Sequence, residues 1–157
     1  MMPTSRKGRL LVLASVMLMM MACAEMTIQN NTQYPVRVVV SLPGTKGSRG
    51  HFLGSSSTIK FVSPSEGNYL VNAIIDEYYL NKMDDLKSRM QNMIINFDDA
   101  SWSPGEFGKT IDDIIEIDRF LTSVESTQCS GRMTEDVTTE VTIEQSAGTN
   151  PIIAICP

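Results

Sequence analysis

The sequence of 157 residues predicts a mainly β domain that carries an α-helical insertion. Three observations support this fold class. Before residue 76, short segments alternate apolar with polar side chains and are separated by turns rich in Gly, Pro, Ser and Asn. The apolar period then lengthens to about 3.6 residues, as in amphipathic helices. Near the C-terminus the period returns to two, so we expect a β-sandwich interrupted by helices.

The first half of the chain is predicted to contain five strands. Its segments are rich in β-branched and aromatic residues, which favour a pleated, half-buried backbone. Turn-forming sequences such as Asn30-Asn31-Thr32 and the stretch 43–48 separate them. The predicted strands span 26–29, 36–42, 51–53, 58–62 and 69–75.

Two amphipathic helices are predicted next. The first has an apolar stripe at helical spacing, formed by Tyr79, Met83, Leu86, Met90 and Met93. The second begins at a strong signal: Ser103 suits the N-cap, Pro104 the first helical position, and Glu106 completes a capping box. Its stripe is formed by Phe107, Ile111, Ile114, Ile117, Leu121 and Val124. We therefore expect an αα-hairpin inserted at about residues 77–126.

The remaining residues are predicted to complete one sandwich. Short strands are expected over 131–133, 137–143 and 152–155. Together with the first five they give about seven or eight strands, as in immunoglobulin-like sandwiches. The prediction is thus a single immunoglobulin-like β-sandwich domain over residues 23–157.

The first 22 residues have the pattern of a cleaved export signal. Arg6, Lys7 and Arg9 form a basic start, and an apolar run of 13 residues covers 10–22. A membrane-spanning helix needs about 20 apolar residues, so this run is too short to span a bilayer. Residues 1–22 are therefore interpreted as a signal peptide and left out of the predicted fold.

The end of this segment, Met20-Met21-Ala22-Cys23, resembles the lipobox of bacterial lipoproteins. The resemblance implies that Cys23 becomes the lipidated first residue of the mature protein. The domain would then be anchored to a membrane of the cell envelope, on its extracytoplasmic side. The family prefers Leu where Met20 stands. The alternative is cleavage after Ala24 by ordinary signal peptidase, because Ala22-Cys23-Ala24 fits a small-x-small site. That cleavage would release a soluble secreted binding protein.

Cysteine usage predicts one disulfide. Once Cys23 is lipidated or removed, Cys129 and Cys156 remain. Export places them in an oxidising compartment, where such a pair is normally bridged. The bridge would stabilise the fold by roughly 3–4 kcal/mol on the chain-entropy account. The alternative is a pair of buried free thiols.

The charge pattern favours a membrane partner over nucleic acid. The net charge of −5 becomes −8 after signal removal, with ten Lys and Arg against eighteen Asp and Glu, so a nucleic-acid partner is not expected. Residues 26–65 nevertheless contain four basic residues and no acid. Two of them, Lys46 and Arg49, lie in a predicted hairpin turn and are candidates for contact with phosphate headgroups.

No motif for catalysis or metal binding is recognised. One His and three Cys are too few for a zinc site built from those residues alone. His51 has no G-x-S-x-G elbow nearby, and adjacent acids such as Asp112-Asp113 diverge on a helix. We therefore predict no catalytic residue, metal or cofactor, and a non-enzymatic binding or structural module of the cell envelope. An envelope protein docking on the helices is a candidate partner, and a hydrolase with an unrecognised site is the alternative.

Overall fold

The computed structural model describes residues 23–96 and 102–157, and across these residues the chain forms eight strands and two helices. The predicted signal peptide, residues 1–22, lies outside them. In chain order the elements are β1 (Ala24–Asn30), β2 (Val36–Ser41), β3 (Arg49–Leu53), β4 (Thr58–Ser63), β5 (Gly67–Ile75), α1 (Glu77–Ile95), α2 (Pro104–Ser123), β6 (Thr127–Met133), β7 (Thr139–Gln145) and β8 (Ile152–Ile155). The mainly β class with two helices is confirmed.

The strands form two four-stranded sheets. One sheet has the order β4-β1-β7-β8 and the other β3-β2-β5-β6. β1 pairs parallel with β7, and every other strand pairing of the described residues is antiparallel. Both sheets contribute buried side chains to one hydrophobic core, an arrangement consistent with a β-sandwich. The largest fully buried apolar side chains are Met26, Ile28, Ile75, Met133, Ile143, Ile152, Val36, Val38, Val71 and Val141.

Alternation along the strands explains why these residues form the core. In β1, β2, β5 and β7 every second side chain is buried, because successive side chains of a strand point to opposite faces. Removing a Val, Ile or Met side chain from water contributes about 1.5–3 kcal/mol. The period-two pattern of the sequence therefore identifies the inward face of each of these strands.

Most predicted strands differ from the observed ones at one or both ends; β1, β3 and β5, for example, each begin two residues earlier than predicted. β6 begins at Thr127 instead of residue 131, because its pairing with β5 extends from Gly67↔Met133 to Ala73↔Thr127. This edge strand has polar outer residues, so its alternation is weak in the sequence. β7 begins at Thr139 instead of 137, and Val137 is 66% exposed.

The turn between β1 and β2 is held by a buried polar network. The Asn30 side-chain amide donates to the carbonyl oxygens of Tyr34, at 2.8 Å, and of Gly54, at 2.9 Å. The Asn30 carboxamide oxygen accepts from the backbone N–H and the hydroxyl of Thr32. Asn30 and Thr32 are both buried, so these bonds satisfy polar groups that water cannot reach.

Side-chain caps fix where both helices begin. The Asp76 carboxylate accepts from the Tyr78 N–H at the start of α1. At α2 the predicted capping box is present: Ser103 Oγ accepts from the Glu106 N–H, and the Glu106 carboxylate accepts from the Ser103 N–H. Neither of these two described helices has the length and apolar content to span a membrane.

The two helices pack against each other more than against the sheets. Among their residues only Ile117 is buried. Lys87 of α1 pairs with Asp118 of α2, which joins the middle of α1 to the second half of α2. The helices meet the core at one end, through Tyr34 of the β1–β2 turn, Tyr79 and Phe120. Part of the apolar surface of each helix is therefore buried against the other helix, and part of it remains exposed to solvent.

Candidate functional site

Cys23 lies at one end of the two sheets, next to three turns. It is exposed and directly precedes β1, whose first residue Ala24 pairs with Ser63 at the end of β4. The Ser63 hydroxyl donates to the Pro43 carbonyl at 2.7 Å, so the β2–β3 turn is drawn to the same end. We call this end, formed by Cys23 and the turns at 42–48, 64–66 and 134–138, the Cys23 pole.

The two candidate headgroup-contacting residues lie at this pole. Lys46 is exposed on the β2–β3 turn, whereas Arg49, expected in the same turn, is exposed as the first residue of β3, because it pairs with Val40. The turn depends on Gly44 and Gly47, whose φ angles of 70° and 82° lie in the region that other residues rarely adopt. Among residues 23–96 and 102–157, neither cation has an ion-pair partner. Both positive charges are therefore available to an external anion.

Acidic residues are also present at the Cys23 pole. Glu66, Glu135 and Asp136 are exposed there, and the Glu135 N–H donates to the Glu66 carboxylate at 2.9 Å. The sequence concentrates acids after residue 98, but the fold returns Glu135 and Asp136 to the end that carries Lys46. The pole is thus of mixed charge, and Lys46, Arg49 and the exposed Arg132 of β6 are the basic residues near it that an anionic surface would attract.

The predicted disulfide is confirmed. Cys129 of β6 is bonded to Cys156, which follows β8; their Cα atoms are 5.7 Å apart and the residues are separated by 27 in sequence number. β6 and β8 are edge strands of different sheets, so the bond joins the sheets along one side of the molecule. Both cysteines are half-buried against the core.

His51 lies on the opposite side of the sheets, between the other two edge strands. Its half-buried ring packs edge-on against Phe61 of β4, with ring centroids 4.9 Å apart. No side-chain hydrogen bond or ion pair joins His51 to another described residue. Across the described ranges, no three His, Cys, Asp or Glu side chains are arranged to hold a metal ion.

The structure also contains a groove that the sequence did not predict as a site. It lies where α1, α2 and the β1–β2 turn meet, and has a volume of about 450 Å³. We call it the hairpin groove. Its lining residues are Gln33, Tyr34, Tyr79, Met83, Leu86, Met90, Asp113, Glu116, Ile117 and Phe120. The only signal in the sequence was the Met and Tyr stripe of α1, which is equally typical of a helix face packed into a core.

Three aromatic rings form the inner part of the hairpin groove. The Tyr34 ring lies 5.2 Å from Phe120 and 5.8 Å from Tyr79, measured between centroids. Burial raises the pKa of the Tyr79 hydroxyl above its ordinary value of 10.0, and the neighbouring Tyr34 raises it further. The phenol is therefore uncharged at neutral pH. The inner groove is thus aromatic and uncharged, and the charge of the groove lies on Asp113 and Glu116.

A second, more open groove lies where the end of α1 meets the first half of α2. It measures about 540 Å³ and is lined mainly by isoleucines, together with Ser88, Gln91 and Asn92. Ile95 is 77% exposed and Ile115 is 43% exposed. The two helices thus expose apolar surface at the end where α1 stops. This end is away from the aromatic contacts that the start of α1 makes with the core.

Comparisons with known proteins identify a similar solved structure but no family. No protein-family model and no curated protein matches the chain. An NMR structure of a protein from Eubacterium rectale is 14% identical, with a TM-score of 0.46, and the match covers 87% of this chain and 89% of that one.

Proposed function

We propose that this protein is an exported, lipid-anchored lipoprotein whose domain is a non-enzymatic binding module of the cell envelope. The observation that carries the proposal is the composition of the Cys23 pole. The residue expected to be lipidated directly precedes a buried strand. At the same end Lys46, on the β2–β3 turn, and Arg49, at the start of β3, have no ion-pair partner among the described residues. An anchor on Cys23 would bring Lys46 and Arg49 towards the membrane.

The short connection makes this orientation specific. β1 begins at Ala24, so no flexible linker separates the acylated residue from the sheet. Two or three acyl chains hold a protein stably on a bilayer, where a single chain does not. A basic residue near an anionic surface contributes about 1 kcal/mol of attraction within a Debye length. Lys46 and Arg49 would therefore orient the anchored domain with its Cys23 pole towards the headgroups.

The position of the helices supports a binding role on the other side. α1 begins directly after β5, whose last residue, Ile75, pairs with Val36 at the start of β2. This end of the sheets is opposite the Cys23 pole. The apolar residues Ile111, Ile114 and Leu121 of α2 are only half-buried, whereas full burial would have opposed a docking surface. In the proposed orientation the helices start at the end away from the membrane, where an envelope protein could dock.

We also propose that the sandwich is immunoglobulin-like and that the helical hairpin is an insertion in it. β5 and β6 are direct antiparallel neighbours, although both helices separate them in the chain. Removing the helices would leave two strands that an ordinary turn could connect.

Intact mass of the protein purified from its native envelope tests the anchor. We expect a chain that begins at Cys23 and carries acyl groups, recovered in the membrane fraction. The full-length Cys23→Ala variant should lose the acyl mass. A chain that begins at Glu25 without added mass would contradict the proposal and indicate a soluble secreted protein.

Vesicle binding tests the orientation. The chain from residue 23 onward, unacylated, is titrated with phosphatidylglycerol vesicles. The double variant Lys46→Glu/Arg49→Glu should bind at least about tenfold more weakly, because two attractive charges become repulsive. The matched control Lys82→Glu/Arg119→Glu makes the same charge change on exposed helix positions and should have a smaller effect. Equal loss in both variants would show a response to net charge and contradict the proposed orientation.

A further inference from the structure

We propose that the hairpin groove binds a small organic cation with an apolar body, such as an alkylammonium ion. The apolar part would lie against the aromatic and methionine side chains, and the ammonium group would face Asp113 and Glu116. The inference deepens the proposed function by naming a ligand class, and it rests on the binding role proposed for the helices. It does not depend on lipidation of Cys23.

The size and lining of the groove fit a small ligand. Small-molecule sites usually measure about 300–1,000 Å³ and have mainly apolar walls with a few fixed polar groups. The hairpin groove has about 450 Å³, three aromatic rings and two methionines. Methionine is flexible and polarizable, so Met83 and Met90 can adapt to alkyl chains of different shape. The groove therefore has an apolar wall for the body of the ligand.

The charges of the groove select a cation. Asp113 and Glu116 are three residues apart on α2, so they lie on the same side of the helix. Neither carboxylate has an ion-pair partner among the described residues, and none of the described residues that line the groove is basic. The nearby Lys87 is paired with Asp118. A cation would thus find two unneutralised carboxylates, whereas an anion would be repelled.

The aromatic rings add to the same preference. Tyr34, Tyr79 and Phe120 line the groove and have centroids 5.2–6.3 Å apart. An ammonium ion is attracted to the face of an aromatic ring when it lies within about 6 Å of the centroid. Because Tyr79 keeps its proton at neutral pH, its ring can take part without adding a charge of its own.

The test is a titration of the chain from residue 23 onward, labelled with ¹³C at the methionine methyl groups. This chain contains every described strand and helix. Hexylammonium, 1-hexanol and hexanoate are added separately, because they share an alkyl chain and differ in charge. We expect hexylammonium to bind most tightly and to shift Met83 and Met90. The buried Met26 and Met133 of the sandwich core should not shift.

Substitutions on α2 distinguish recognition of the ammonium charge from nonspecific hydrophobic binding. Asp113→Asn/Glu116→Gln should weaken hexylammonium binding by about threefold or more and remove its advantage over hexanol. The control Asp112→Asn removes a charge at the adjacent exposed position, which does not line the groove, and should bind as the parent does. Thermal unfolding of each variant verifies the fold.

Three results would overturn the inference. These are no binding of hexylammonium, equal binding of hexylammonium and hexanol, and shifts spread over all methionines. Equal loss in the Asp112→Asn control would also contradict a specific role for Asp113 and Glu116. None of these outcomes alters the intact-mass result, so failure of this inference is distinguishable from failure of the proposed anchor.

Discussion

The sandwich and the helical hairpin use similar apolar patterns in different ways. In the sandwich, the inward side chains of each sheet face a second sheet, so residues such as Ile28 and Val141 are completely buried. In the hairpin, each apolar stripe faces little more than one other helix, so α1 has no buried residue and Leu86 in its stripe stays 44% exposed. A periodic apolar pattern therefore predicts a helix or a strand. The number of other helices or strands packed against it decides how completely its apolar side chains are buried.

The polar contacts described next are also buried in the sandwich and exposed in the hairpin. Asn30 in the sandwich is buried and hydrogen-bonded on both of its side-chain polar atoms. In the hairpin, the ion pair of Arg89 with Asp85 is exposed on α1, and exposed pairs contribute about 0–1 kcal/mol. Stability is therefore expected to come mainly from the sandwich.

The largest effect is expected from an Ile→Ala substitution in the sandwich. The same substitution in the hairpin tests directly whether stability comes mainly from the sandwich. Ile28→Ala removes a fully buried side chain and should lower the free energy of unfolding by about 2–5 kcal/mol. Ile115→Ala removes a side chain that is 43% exposed and should change it by about 1 kcal/mol or less. Urea titration followed by circular dichroism measures both. Equal losses would mean that the hairpin contributes as much stability as the core.

The disulfide gives the next largest effect. Cys129→Ala/Cys156→Ala should lower the free energy of unfolding by about 3 kcal/mol, because the unfolded chain is no longer cross-linked. The unacylated Cys23→Ala variant removes a cysteine outside this bond and serves as the control in the same titration. A double variant as stable as the parent would show that packing alone holds β6 against β8.

The smallest effect concerns the polar network beneath the hairpin. Asn30→Ala leaves buried backbone groups without partners and should cost about 1–3 kcal/mol. Asn31→Ala, at the adjacent exposed position, loses a surface hydrogen bond to Glu144 and should cost about 0.5 kcal/mol or less. Because Asn30 also bonds the Tyr34 carbonyl, methyl shifts at Met83 would report a displaced hairpin base. No such shift would mean that the helices hold Tyr34 without the turn.

Much of the fold was predictable because its signals are local. The alternation of β1, β2 and β5 is visible over six to nine residues, and the capping box of α2 involves residues only three positions apart. The beginning of β6 was missed because its outer residues are polar and its strand geometry depends on pairing with β5. The polar role of Asn30 was missed for a similar reason, since two of its partners, Leu53 and Gly54, are more than twenty residues away.

The candidate sites also divide into those that local sequence patterns indicate and one that depends on the tertiary structure. The sequence alone singled out Cys23, the Cys129–Cys156 pair, and Lys46 and Arg49, because an export pattern, a count of cysteines and a basic turn require no knowledge of the fold. The hairpin groove could not be predicted, since Tyr34, Met83 and Glu116 come from three separate segments.

By itself the sequence determined which segments become strands and helices and which cysteines are bonded. These properties follow from backbone preferences, from periodicity and from the number of cysteines. Only the tertiary structure decided that Lys46 lies at the same end as Cys23, that acids from the second half return to that end, and that two carboxylates meet an aromatic groove. The physical reason is that sheet order and helix pairing bring distant segments together, and no local pattern encodes which segments those are.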